Sequence, residues 1–132
     1  MSAVTLDRLF VGVSASVVPA VSAPLPVRER LAVGQVLRLA AEYLEVHGHC
    51  KGKFAAPEGR GACAVGAIRA VVTGSRYIVH PLVERAVEAF SATLPDRSYD
   101  PDENIAAWND EPERTTAEVV RALRAAAEAV AE

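Results

Sequence analysis

Residues 48–70 read GHCKGKFAAPEGRGACAVGAIRA, and the two halves of this stretch differ in character. Gly48 to Gly61 mixes glycines with Lys51, Lys53 and Arg60 and has no helical or strand period. From Ala64 the residues are small and apolar, with Arg69 set apart, as in a short packed helix. The loop-to-helix junction falls at Ala62-Cys63-Ala64. Both cysteines and five of the eight glycines lie inside the stretch. The chain on either side is helical in pattern, so a site is to be sought here.

Working back from Gly48, Leu31, Val33, Val36, Leu37, Ala40, Ala41 and Leu44 recur at three- and four-residue steps, with Arg38, Glu42 and Glu45 between them. This predicts a helix from about Arg28 to His47, closed by Gly48. Working forward, a second helix runs from Ala64 to about Val72 and ends at Gly74. His80-Pro81 opens a third, with Leu82, Val83, Ala86, Val87 and Phe90 inward, because proline is tolerated at the first helical position. Asp100-Pro101 starts a short fourth through Ile105 and Trp108. Thr115 and Glu118 make a capping box for the last helix, which buries Val119, Val120, Leu123, Ala126, Ala127 and Val130.

Composition agrees with this pattern. Of 132 residues, 25 are alanine and seven aromatic, a balance that favours closely approaching helices over a strand-built core. The expected fold is all-α: a compact bundle of four or five helices over residues 28–132, with a Gly-rich loop after its first main helix. Residues 1–27 are apolar, rich in small and β-branched residues, and carry three prolines. They are read as an extended arm lying along the domain or along a second copy, which makes a homodimer through the arm an expectation. Leu9 to Val21 is too short for a membrane span and is interrupted by Pro19. The arm also lacks the basic start and cleavage site of a secretory signal.

A formal charge of −3 argues against nonspecific nucleic-acid binding. Two cysteines do not make a disulfide framework, so a reducing, cytoplasmic setting is expected. His47, His49, Cys50 and Cys63 are zinc-ligand types, but only Cys63 comes from a second segment, and no metal is expected. The loop matches neither GxxxxGK[ST] nor GxGxxG, so no nucleotide or other cofactor is expected.

Two chemical readings remain. Cys63 at a helix start would have its thiolate favoured by the helix dipole, and the order Cys63, His80, then Asn109 or Asp110 is that of papain-like chemistry, with His49 a second candidate base. No sheet is predicted to carry the histidine, however, and capping explains His80-Pro81. The other reading is an anion site, with Lys51 and Arg60 among glycines ahead of a helix N-terminus. Its competitor is internal, because residues 96–114 hold seven acidic and two basic residues and would dock on the basic loop. Trp108 is expected to anchor the core. Asn109 and Asp110 cap or turn, with the loop's backbone N–H groups as suitable partners.

The residues His47-Gly48, Cys63-Ala64-Val65-Gly66-Ala67-Ile68, Trp108-Asn109-Asp110 and Thr115 or Thr116 together resemble a family of small actinobacterial and phage proteins of unknown function. The resemblance covers about Val33 to Ala127 and leaves out the arm. It implies one domain and a cytosolic setting, and brings no activity with it. The functional expectation is a small binding or accessory module that engages a protein partner or a small anionic ligand through the Gly48–Gly61 loop and the helix start at Cys63. Lys51, Arg60, Cys63, Trp108, Asn109 and Asp110 are its binding residues. A cysteine-dependent enzyme using Cys63 and His80, and a structural, oligomerising protein, are the alternatives.

Overall fold

The computed structural model describes residues 25–95 and 100–131. The expected N-terminal arm falls almost wholly on residues 1–24, outside the described residues. Among the described residues there are five helices: α1 (Val27–His47), α2 (Ala64–Thr73), α3 (Pro81–Ser91), α4 (Pro101–Asn109) and α5 (Thr116–Ala131). The expected all-α bundle is what the chain forms. No helix among the described residues is long and apolar enough to cross a membrane.

Local chemistry sets each boundary. At Gly48 the backbone turns to φ 103°, which L side chains rarely adopt, and its N–H still reaches Leu44 O at 3.0 Å, so α1 stops there. Asp100 Oδ1 accepts from Glu103 N at 2.9 Å ahead of Pro101. Thr115 and Glu118 exchange both capping-box bonds, Thr115 N to Glu118 Oε1 at 2.9 Å and Glu118 N to Thr115 Oγ1 at 3.1 Å. α3 ends at Ser91. The N–H groups of Thr93 and Leu94 bond back to Phe90 O and Ser91 O, three residues earlier, so the chain leaves in a tighter turn.

α1 packs chiefly on α5 and next on α2. Ala40 and Ala41 of α1 and Ala126 and Ala127 of α5 are fully buried, which is where the abundant alanine lets two helices come close. Leu37, Leu44, Ile68, Phe90, Ile105 and Leu123 supply the bulk of the core. Each such side chain contributes about 1.5–3 kcal/mol by leaving water. Leu31 is a correction. Expected on the inward stripe, it is 60% exposed, on the same outer face of α1 as Val27, Leu39 and Val46.

The candidate site: a loop held by Asn109

Between α1 and α2 the loop folds back on itself through Ala62. Cys50 N donates to Ala62 O at 2.9 Å and Ala62 N to Gly48 O at 3.1 Å, while Ala56 N reaches Gly61 O at 2.8 Å. Ala62 thus bridges His49 on one side and Ala55 on the other. The turn at Phe54 then lies directly on α2. A Cβ built on Gly66 would sit 2.0 Å from Phe54 O, so the glycine of Cys63-Ala64-Val65-Gly66 is what lets backbone rest on backbone.

Asn109, at the end of α4, is fully buried and closes this arrangement. Its Oδ1 accepts from Ala64 N at 3.1 Å and from His49 Nε2 at 2.8 Å. Its Nδ2 donates to Cys50 O at 3.1 Å and to Asp110 Oδ1 at 2.9 Å. The Ala64 N–H and the Cys50 carbonyl fix which end of the amide is oxygen, so His49 carries its proton on Nε2. Its Nδ1 then faces the Thr116 hydroxyl at 3.5 Å. All four polar positions of the amide are matched, as burial requires. Asp110 adds a bond from Gly52 N at 2.9 Å. Lys51 Nζ reaches the carbonyls of Glu111 at 2.7 Å and Pro112 at 3.0 Å. The internal competitor foreseen for the basic loop is therefore real, although Lys51 meets the acidic segment through carbonyl oxygens.

Cys63 is the N-cap of α2, with Gly66 N 3.4 Å from its sulfur. The expected lowering of its pKa does not occur. Burial pushes the thiol up to about 11, outweighing the N–H groups of Gly66 and Val65, because a charged sulfur would lose its water. Cys50, whose sulfur lies 3.5 Å from Lys53 O, is also shifted upward, again mainly by burial. His80 is placed by its own helix: Nδ1 accepts from Leu82 N at 3.0 Å as the N-cap of α3. No bond joins it to Cys63 among the described residues, so the pair is not set up as nucleophile and base. Both cysteines are free, and no three His, Cys, Asp or Glu side chains among the described residues are grouped to hold a metal.

Of the expected binding residues, Lys51, Cys63, Asn109 and Asp110 converge. Trp108 stands beside them in sequence, but its ring packs perpendicular to Phe90, with centroids 5.8 Å apart, and lies under the Arg114 guanidinium, 4.1 Å from the ring centre. That is the core-anchoring role expected of it. Arg60 lies at the far side of the loop. Tyr43 donates its hydroxyl to Arg60 O, and Arg76 Nη1 donates to Gly59 O at 3.1 Å and Gly61 O at 2.9 Å. Arg76 and Tyr43 were missed by sequence reading. Gly66 and Thr116 entered it only among the residues of the family resemblance, with no structural role given.

The loop, the α2 junction, Asn109 and Thr116 all lie within residues 28–129, the span matched by one family model. No curated protein and no solved structure matches the chain. On that match, which covers the helical part of the chain from α1 into the last turns of α5, the chain belongs to the DUF6197 family, a family of unknown function.

Proposed function

We propose that the protein is a non-catalytic binding module that presents the outer surface of the Gly48–Gly61 loop to a protein partner. The observation that carries this reading is the saturated, buried Asn109 amide, which uses up the loop's inner polar groups in holding its shape. A surface ordered before binding loses less entropy when a partner arrives. The outward side of the loop is suited to contact. Phe54 is exposed under the Arg69 guanidinium, 4.2 Å from its ring centre. Arg69 in turn lines a cleft with Val79, the last of three consecutive exposed apolar residues, Tyr77, Ile78 and Val79. Neighbouring apolar side chains left in water mark interaction surfaces. Two free thiols fit a reducing, cytoplasmic setting.

The test is capture of partners by the purified chain, repeated with Phe54→Ser and Ile78→Asp. These variants should keep the parent melting temperature and lose a partner that Leu39→Ser, altered on α1, retains. A partner held equally by all three would end the reading.

Self-association has one observation of its own in support. Val27, Leu31, Leu39 and Val46 are exposed on one face of α1, which begins where the apolar arm joins. Under that reading, a chain starting at Leu25 should hold fewer copies per particle in solution than the full chain. An unchanged number of copies would remove the arm from consideration.

A further inference from the structure

On the side of the loop away from Asn109, a cleft of about 220 Å³ is lined by Tyr43, Arg60, Ala70, Gly74, Ser75, Arg76 and Tyr77. It brings together two arginines and two tyrosines, and no carboxylate among the described residues lines it. The two arginines are held differently. Arg76 is fixed through its bonds to Gly59 O and Gly61 O, which leave its charge unneutralised. Arg60 is anchored by its backbone, where Tyr43 grips the carbonyl, while its guanidinium makes no hydrogen bond or ion pair among the described residues. The C-terminus of α2 borders the cleft, and its dipole amounts to roughly half a negative charge against two full positive ones. The balance stays positive.

We infer that this cleft is a binding site for an oxyanion, a phosphate or carboxylate group held between Arg60 and Arg76 with the tyrosine hydroxyls beside it. A guanidinium offers a planar fork of N–H donors that matches such a group in pairs. Arg76, already positioned, sets the geometry, and Arg60 is the group free to close on the ligand. The inference rests on the loop being the recognition surface and adds the chemistry it recognises. It also moves the anion site from the α2 start, where Asn109 and Cys63 occupy the donors, to the opposite side of the same loop.

The test is an NMR titration of the full chain with inorganic phosphate in one arm and a phosphoserine peptide in the other, with chloride at matched ionic strength as control. Saturable shifts at Tyr43, Arg60, Arg76 and Tyr77 are expected in at least one oxyanion arm and not with chloride. Tighter binding of the peptide places the group on a partner chain, and tighter binding of the free ion places it on a small ligand. Arg60→Gln should weaken binding about tenfold, the loss of one charge-assisted pair, at an unchanged melting temperature. Shifts that fail to saturate, that chloride reproduces, or that survive Arg60→Gln at full affinity would overturn the inference. That result would leave the Phe54 and Ile78 test standing, because it reads different residues.

Discussion

The two sides of the Gly48–Gly61 loop are built from similar materials and put to opposite use. Toward α4 and α5, every polar group on the Asn109 amide has a protein partner, and Gly52, Lys51 and Ala64 are held by the same segment. Toward the α2–α3 connection, Arg60 and Arg76 face a cleft that no carboxylate among the described residues lines. One side is therefore a structural clasp and the other a surface with charge to offer. Substitutions on the clasp should cost stability, whereas removing the unbonded Arg60 guanidinium from the cleft should cost binding alone.

The largest break is expected at Gly66→Ala. Alanine in place of glycine in a helix contributes roughly 1 kcal/mol of stability by propensity. Here its Cβ would lie 2.0 Å from Phe54 O, a backbone atom that cannot swing aside, so steric cost should reverse the sign. A net destabilisation of about 3 kcal/mol is expected from such overpacking, measured by urea unfolding. A stabilised variant would mean that Phe54 does not rest on α2. Asn109→Ala comes next. It would strand Ala64 N, Cys50 O and His49 together, at about 2–3 kcal/mol for buried groups left unpaired. Asn109→Asp is the sharper probe. It keeps the acceptor for Ala64 N while setting a charged oxygen against Cys50 O and Asp110, so it should rescue little of that loss.

How much of this contrast was legible in sequence follows from its physics. Helix starts were legible because caps are local: Thr115 with Glu118, and Asp100 with Glu103, bond within four residues. That Asn109 would need backbone partners in the central loop followed from its chemistry, and the structure supplies them from 45 and 59 residues away. Leu31 was misplaced because it stands two residues before Val33, a spacing that turns it about 200° from that buried side chain and onto the outer face of α1. Cys63 was placed at the right junction, but its ionisation depends on how much water the fold removes, which spacing does not report. Arg76 was invisible. Its meaning arises only when the loop turns back and brings the Gly59 and Gly61 carbonyls within its reach.

Alkaline pH offers a smaller break in the clasp. Cys63 has a thiol raised from 9.0 to about 11, so the unfolded chain gives up its proton first. Its contribution is intact below pH 9 and is lost as pH rises through 11, in total about 2–3 kcal/mol at 1.36 kcal/mol per unit. Unfolding free energy should fall across that window, and Cys63→Ala should flatten the fall, leaving a residue from Cys50, which is shifted the same way. In the folded protein at neutral pH, iodoacetamide should label Cys50 before Cys63. Rapid labelling of Cys63 would return the cysteine-enzyme reading to contention.

The smallest effect sets the scale for the rest. Arg124 bridges Glu45 from α5 to α1 through two bonds, at 2.8 and 3.2 Å, and lowers the Glu45 pKa chiefly through that bonding. Two well-aligned bonds across the most closely packed pair of helices look like a fastening, yet both side chains are about half exposed. Water and salt screen such a pair, and ordering two long side chains opposes it, so Arg124→Ala should cost the least stability of these variants. Lys51→Met removes a charge that also reaches across the fold, but onto carbonyls of the clasp. It should cost about 1 kcal/mol and loosen hydrogen-exchange protection at Gly52 and Ala64, which Arg124→Ala leaves unchanged. If the two variants lose equal stability with equal protection, Lys51 is a surface contact like Arg124, and the clasp reduces to Asn109 and Asp110.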